Sequence, residues 1–341
     1  MKKRYENAFF LVGIVVLAVM VAQLDFHQVW QGVTHAGYWF VAVLALWFFL
    51  YFFNAAAWWL IICRGARQKA PLSSWRDFLW LYKITISGFA LNYATPGGLM
   101  GGEPYKIMVL APRIGTERAT SSVILHTMTH IFSHFWYWLI SCALYVLTCS
   151  VSAFMAVFVA LVTLFCLTAI WFFLKGYKHG IVVWGMRLIT RLPLIGNKAT
   201  RFMERHADQL ADIDRQMALL HGENPRTLAL AVLIELTCRI VSALEIYFIL
   251  LVIMPSASYA ECILILAFTT LIANMLFFIP LQLGGREGGF LMSVSGLGMT
   301  VSAGIFVALL VRLRELFWTG VGLLLIKLEK PAEKNKTISP R

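Results

Sequence analysis

Charged residues are scarce in this chain of 341 residues, because only 13% are Asp, Glu, Lys or Arg while 60% are hydrophobic. With a mean hydropathy of +0.75, this composition excludes a water-soluble enzyme and is typical of a polytopic membrane protein. The longest polar stretch, residues 175–226, is too short and too amphipathic for a separate catalytic domain. We therefore predict a single membrane domain over residues 1–341.

The sequence also has no CxxC pair. Its six cysteines lie in or beside apolar runs, at positions Cys63, Cys142, Cys149, Cys166, Cys238 and Cys262. We interpret them as small buried hydrophobes, and we expect no disulfide, metal or other cofactor. The net charge of +12 comes from basic residues at the ends of hydrophobic segments. This placement indicates positive-inside topology and contact with anionic lipid, and it does not favour nucleic-acid binding.

Hydrophobic runs long enough to cross the bilayer predict six transmembrane helices, near residues 7–24, 38–62, 119–148, 151–174, 227–253 and 301–326. The first run has the form of a signal peptide, but its poor cleavage site favours an uncleaved helix. Residues 25–38 form a loop without Lys or Arg, whereas the loops after residues 62, 174 and 326 are basic. We expect a multi-pass protein of a bacterial cytoplasmic membrane with both termini in the cytoplasm.

Two glycine-rich motifs interrupt hydrophobic runs, one in each half of the chain. In both, a proline precedes a glutamate by seven positions. Their residues are Pro96, Gly97, Gly98, Gly101, Gly102 and Glu103 in the first, and Pro280, Gly284, Gly285, Arg286 and Glu287 in the second. We expect the glycines to adopt φ values that other residues resist, so that the chain reverses direction. Paired interruptions of this kind indicate the binding site of a transporter.

The charges around each motif predict a re-entrant helical hairpin. The first hairpin, about residues 78–112, enters from the cytoplasm, and the second, about residues 260–299, enters from the opposite face. The arm after Glu103, residues 104–111, is about 12 Å long and cannot cross alone. Pro104 fits the first turn of this arm. Proline has no backbone N–H, and the N–H groups of the first turn of a helix make no hydrogen bond within the helix.

The predicted fold is therefore an all-α polytopic membrane protein, with about six transmembrane helices and two oppositely oriented hairpins in an inverted repeat. Residues 1–174 form the first half and residues 226–330 the second. Between them, residues 178–225 show helical periodicity and form a cytoplasmic amphipathic segment. This segment lies on the headgroups, or packs against the bundle or a second subunit.

Ionisable residues inside the predicted membrane segments are candidates for the binding site, because burying them is costly. The candidates for substrate binding are Glu103, Arg239, Arg286, Glu287 and Arg312. Helix N-termini and arginine forks suit a phosphate group. Alternatively, charges pair along one helix as structural contacts, Glu235 with Arg239 and Arg312 with Glu315. For the two motif glutamates, helix capping and binding of a headgroup amine or proton both remain open.

Four further residues are candidates for the lining of a polar cavity: Lys83, His126, His130 and His134. The histidines recur every four residues on one face of the predicted third crossing. The outer two are about 12 Å apart along the helix axis, so a single metal cannot bind all three. We favour a polar lining or hydrogen bonds between helices.

The two motifs and the arginine-bearing last helix, residues 301–326, make the chain resemble the lysylphosphatidylglycerol synthase transmembrane-region family, also called flippase-like membrane proteins. The likeness covers nearly the whole chain. It departs at residues 125–130, where the family often has Glu-Arg and a nearby Asp. The resemblance implies lipid translocation, or handling of a lipid for a partner enzyme. Full synthases carry a soluble aminoacyl-transfer domain after this region, and we expect that activity to be absent here.

The leading hypothesis is a flippase or scramblase-like transporter for an anionic phospholipid or a polyprenyl-phosphate-type lipid, with the headgroup passing between the hairpins. One alternative is a noncatalytic partner that presents lipid to a glycosyltransferase or another enzyme. The other is a membrane enzyme with Glu103, Glu287 and the histidines as acid and base groups. The expected partners are an anionic lipid and the bilayer, with either a second copy or a lipid-modifying enzyme.

Overall fold

A computed structural model describes residues 26–64, 72–94, 101–176, 190–191, 196–205, 207–208, 211, 225–276 and 285–328. These residues form eleven helices and no strand, which confirms the predicted all-α class. The helices are α1 Phe26–Ala36, α2 Tyr38–Arg64, α3 Trp75–Ala94, α4 Gly102–Ile114, α5 Thr116–Thr148, α6 Ala153–Gly176, α7 Gly196–Arg205, α8 Pro225–Ile253, α9 Tyr259–Met275, α10 Gly285–Gly296 and α11 Val301–Leu328.

Four helices of the described chain, α2, α5, α6 and α8, are long and apolar enough to cross a membrane. They match four predicted crossings. Helix α11 has 28 residues and matches a fifth, but three charges near its middle make it less apolar. In α6 only 11% of the apolar window is buried, so most of this helix is suited to face lipid. The predicted crossing at residues 7–24 lies outside the described residues.

One short helix occupies a stretch that we interpreted as a loop. Helix α1 has 11 residues and packs against α11. A Cβ added at Gly32 would lie 2.9 Å from Leu309 Cδ2, and the His35 and Phe306 rings have centroids 5.8 Å apart. Tertiary packing therefore holds a helix that is too short to be stable alone. The predicted amphipathic segment, residues 178–225, is described only in part, chiefly as α7.

Two pairs of helices form antiparallel hairpins, close to the predicted bounds. In the first, α3 and α4 meet where the Gly102 N–H donates to Asn92 Oδ1 over 2.8 Å. In the second, α9 and α10 meet where the Thr269 and Ser293 hydroxyls are 3.1 Å apart. The connecting residues of both hairpins lie outside the described part, and with them Pro96, Gly97, Gly98, Pro280 and Gly284.

Close packing, and not an unusual φ, explains a motif glycine. Gly101 has φ −102°, and neither Gly102 nor Gly285 has a positive φ. The expectation of special φ values was therefore wrong for these three residues. A Cβ added at Gly102 would lie 2.0 Å from the Gly88 carbonyl oxygen, so a side chain there would force the hairpin arms apart.

The two halves repeat the same order of helices in opposite directions. Helix α2 runs antiparallel to α8, because Trp47 contacts Glu245 while Asn54 contacts Cys238. Each of these helices is followed by a hairpin and then by a long helix, α5 or α11. This arrangement agrees with the predicted inverted repeat, and it brings both hairpins against α11.

Candidate functional site

A cavity of about 310 Å³, here called the central cavity, lies between the two hairpins. Helices α2, α3, α5, α8, α9, α10 and α11 all contribute to its walls. Among the described residues, the lining includes three arginines and three glutamates, namely Arg239, Arg286, Arg314, Glu235, Glu245 and Glu315. Charges inside an apolar bundle are costly, so this cavity is the candidate functional site.

On one wall of the central cavity, an ion pair between Glu245 and Arg314 joins α8 to α11. Arg314 donates from Nε to Glu245 Oε1 over 2.7 Å and from Nη2 to Oε2 over 3.0 Å. The Trp47 indole N–H donates to Glu245 Oε2, and the guanidinium lies 3.8 Å from the Trp47 ring centroid. This two-point pair is fully buried and neutralises both charges. Neither Glu245 nor Arg314 was a predicted binding residue, although charge in an apolar run was a signal for both.

A second contact joins both hairpins to α11 through Glu315. Arg286 of α10 pairs with Glu315 Oε1, while the Tyr93 hydroxyl of α3 donates to Oε2 over 2.5 Å. One helical turn away, Arg312 pairs with Glu287 over 2.5 Å. The predicted pair between Arg312 and Glu315 was therefore wrong, because each residue pairs with the second hairpin instead.

A third cluster joins α5 to α8. Glu235 is buried, and its Oε2 lies 2.9 Å from His130 Nδ1 while its Oε1 lies 3.3 Å from His126 Nε2. The His134 ring meets the His130 ring edge-on, with centroids 5.6 Å apart. His130 and His134 line the central cavity, whereas His126 lies deeper and stacks on Trp58. The described residues contain no group of three or more His, Cys, Asp or Glu that suits a metal ion.

Arg239 lines the central cavity and makes no ion pair with the residues that the structure describes. Its Nε donates to Ser133 Oγ over 2.7 Å, and its Nη2 donates to the His130 carbonyl over 3.0 Å. No carboxylate of the described residues lies within 4.0 Å of its guanidinium. The predicted pair with Glu235 was therefore wrong, since that carboxylate faces the histidines.

Charged groups of the first hairpin lie apart from the central cavity. Glu103 Oε1 accepts from Lys106 Nζ and Asn92 Nδ2, each over 3.1 Å, and Oε2 accepts from Thr127 over 3.0 Å. Lys106 is buried, with its Nζ 5.6 Å from the centroid of a Trp58 ring. Asn92, and not Glu103, accepts the N–H at the start of α4. Lys83 is exposed and is not among the residues that line the cavity.

Long apolar helices surround a cavity lined by charged residues, and two helical hairpins interrupt the series of long helices. This arrangement is typical of a multi-pass membrane protein. The family described as the lysylphosphatidylglycerol synthase TM region matches residues 8–322. The chain belongs to this family, which indicates a membrane protein involved in lipid handling. No curated protein and no solved structure matches the chain.

Proposed function

We propose that this protein moves an anionic lipid between the two leaflets of the membrane. The phosphate of the headgroup binds in the central cavity, and the hydrocarbon tails remain in the bilayer. The observation that carries this proposal is Arg239, a half-buried cation that lines the cavity and has no carboxylate within 4.0 Å among the described residues. Because its guanidinium makes no direct ion pair there, Arg239 can donate charge-assisted hydrogen bonds to an anionic group in the cavity.

The donors that remain at the cavity wall suit a phosphate. Two of the three arginines, Arg286 and Arg314, are paired with glutamates. Arg239 Nη1 makes no hydrogen bond within the described chain, and the buried Arg286 Nε has none there either. Guanidinium groups with free N–H donors bind phosphate oxygens with charge-assisted hydrogen bonds. Arg239 and Arg286 are therefore the proposed contacts to the headgroup.

The hairpins supply a route from either leaflet to this site. Helices α4 and α10 have 13 and 12 residues, which is about 20 Å at most and short of the roughly 30 Å hydrocarbon thickness. We propose that both hairpins are re-entrant, with the first open to the cytoplasm and the second to the opposite face. Their shared contact at Glu315 lets a shift of one hairpin change the opening of the other.

We also propose transport without covalent change of the lipid. Glu245 and Glu315 are each held by an arginine, which disfavours proton transfer by these two carboxylates. The basic loops support a bacterial cytoplasmic membrane with both termini in the cytoplasm. A partner enzyme or a second copy remains compatible with this function.

The test uses proteoliposomes that contain either labelled phosphatidylglycerol or a labelled polyprenyl phosphate, with labelled phosphatidylcholine as the zwitterionic control. Arg239→Gln should slow movement of at least one anionic probe by about tenfold or more, because it removes charge-assisted hydrogen bonds worth about 1.5–3 kcal/mol. The matched control is Lys83→Gln, which removes one positive charge from an exposed position. Equal rates for wild type and Arg239→Gln would contradict the proposal.

A further inference from the structure

We infer that Glu235 and the histidines around it form a proton-binding site that couples lipid movement to a proton. This inference rests on the proposed function, because the proton is taken up together with the anionic headgroup. The structure brings the parts together from two helices: one carboxylate of α8 lies between two imidazoles of α5. The chemical class of the additional ligand is a single proton.

The geometry leaves this cluster able to accept a proton. His126 Nε2 and Glu235 Oε1 are both buried and 3.3 Å apart. Neither atom has a hydrogen-bond partner among the described residues. An ionised carboxylate only accepts, so both contacts to Glu235 require a hydrogen on His130 Nδ1 and on His126 Nε2. The other nitrogen of each neutral imidazole is then the position that can take up a proton. A proton added to this cluster is shared by three groups that are already within reach of one another.

The exposed fractions of the histidine side chains give the path of entry. His130 is 31% exposed and lines the central cavity, whereas His126 is 3% exposed. His134, next along the same face, also lines the cavity, and its Nδ1 has no partner in the described part of the chain. A proton from water in the cavity therefore reaches His130 or His134 first and then the carboxylate of Glu235.

The net charge of the site couples binding of the headgroup to binding of the proton. Without a ligand, ionised Glu235 and Arg239, one turn apart on α8, sum to zero when the histidines are neutral. A headgroup with one negative charge makes the site negative, and one proton on the cluster restores neutrality. Since net charge is costly at this depth, the anion and the proton favour each other's binding. By linkage this effect is reciprocal, so lipid and proton move in the same direction.

The other groups that face this cluster do not change the balance. From α2, Asn54 and Trp58 are neutral, and Cys238 of α8 hydrogen-bonds to Asn54. From α4, the charge of Glu103 interacts with His126, but Glu103 is paired with Lys106.

Further along α8, Glu245 is paired with Arg314 of α11. In the described helix α9 the only ionised side chain is Glu261, which is half-buried in the first turn and caps the helix through Ser258. The net charge at the cluster therefore depends on Glu235, the histidines and Arg239.

The first experiment uses wild-type proteoliposomes with a pH difference of about one unit, a pH-sensitive dye inside, and the labelled anionic probes named above. Coupling of one proton to each lipid predicts up to about tenfold accumulation of the probe in the leaflet that faces the more alkaline side. The dye should report protons moving with the lipid. Lipid movement with an even final distribution would overturn the coupling and leave the proposed function intact. No movement of either anionic probe would instead overturn the proposed function.

The second experiment measures binding of short-chain phosphatidylglycerol and of a short-chain isoprenyl phosphate in detergent as a function of pH. Wild-type affinity should fall by up to about tenfold per pH unit above the titration range of the cluster, because each bound anion takes up one proton. Glu235→Gln should flatten this dependence, whatever its absolute affinity. The matched control is Glu117→Gln, an exposed acid on the same helix as the histidines, which should keep the wild-type slope. A pH-independent wild-type affinity, or an unchanged slope in Glu235→Gln, would overturn the site.

Discussion

The two hairpins share an outline but hold their charges in different ways. In the first, Glu103 and Lys106 lie three positions apart on α4 and pair with each other, and Asn92 of α3 adds a hydrogen bond from the other arm. In the second, Arg286 pairs with Glu315 and Glu287 pairs with Arg312, and both partners lie on α11. The charged residues of the first hairpin therefore pair within the hairpin, whereas those of the second pair with residues of α11.

The charged side chains of the two hairpins also differ in their exposed fractions. Lys106 of the first hairpin is 2% exposed, while Arg286 and Glu287 of the second are 27% and 35% exposed. Breaking a partly exposed ion pair costs less free energy than removing one partner of a buried pair. We therefore expect the first hairpin to be the fixed element and, in the proposed transport, the second to be the one that shifts.

The largest expected difference between the hairpins comes from their glycines. Gly102→Ala places a Cβ 2.0 Å from the Gly88 carbonyl oxygen, and we expect it to destabilise the protein by about 3 kcal/mol through overpacking. Gly288 in the second hairpin has nothing within 4 Å of an added Cβ. Gly288→Ala should therefore be neutral or stabilise by up to about 1 kcal/mol. Thermal unfolding in detergent measures both variants.

Similar unfolding temperatures for these two alanine variants would remove the basis for calling the first hairpin tightly packed. A loss confined to Gly288→Ala would reverse the comparison. Gly88→Ala serves as a second probe of the same contact, since its added Cβ would lie 2.5 Å from Lys106 Cε. Its cost should be smaller than that of Gly102→Ala, because a flexible side chain can move while a carbonyl group cannot.

A smaller difference is expected from the ion pairs. Lys106→Met leaves Glu103 without its buried cation, and we expect a loss of about 2 kcal/mol because Asn92 and Thr127 still donate to the carboxylate. Arg312→Met breaks a more exposed pair and should cost less than about 1 kcal/mol. Chemical or thermal unfolding of the two variants compares them directly. If Arg312→Met proved the more damaging, the second hairpin would be the fixed one.

Combining Lys106→Met with Glu103→Gln provides the control for this comparison. The double variant removes both charges, so it should recover part of the stability that Lys106→Met loses. Additive losses would show that contacts outside the ion pair, such as those of Lys106 Nζ with the Trp58 and Phe89 rings, stabilise the hairpin.

Much of the fold follows from the sequence because the signals are local. Long apolar runs predict the crossings, and the glycine motifs predict where two hairpins break. Helix α1 was missed because its 11 residues depend on packing against distant helices. Gly102 was identified from the sequence as part of a hairpin motif, but the physical reason for a glycine there, its contact with Gly88 on another helix, has no local signature.

The charged site was predicted less well, because its pairs join distant parts of the chain. Spacing of three or four residues favoured the pairs Arg312 with Glu315 and Glu235 with Arg239, yet helix packing selected other partners. Glu245 and Arg314 are 69 positions apart, and Tyr93 and Glu315 are 222 apart. A charge in an apolar run identifies a site residue, but only the tertiary arrangement identifies its partner.

Sided cysteine labelling tests the central claim, that two hairpins open to opposite faces and share one cavity. The background variant lacks the six native cysteines. Single cysteines replace exposed residues at the outer ends of each hairpin, Ser73 and Thr116 for the first and Ser256 and Thr300 for the second. An impermeant maleimide should label the first pair only from the cytoplasm and the second pair only from the opposite face. Labelling of the two ends of either hairpin from different faces would contradict the account.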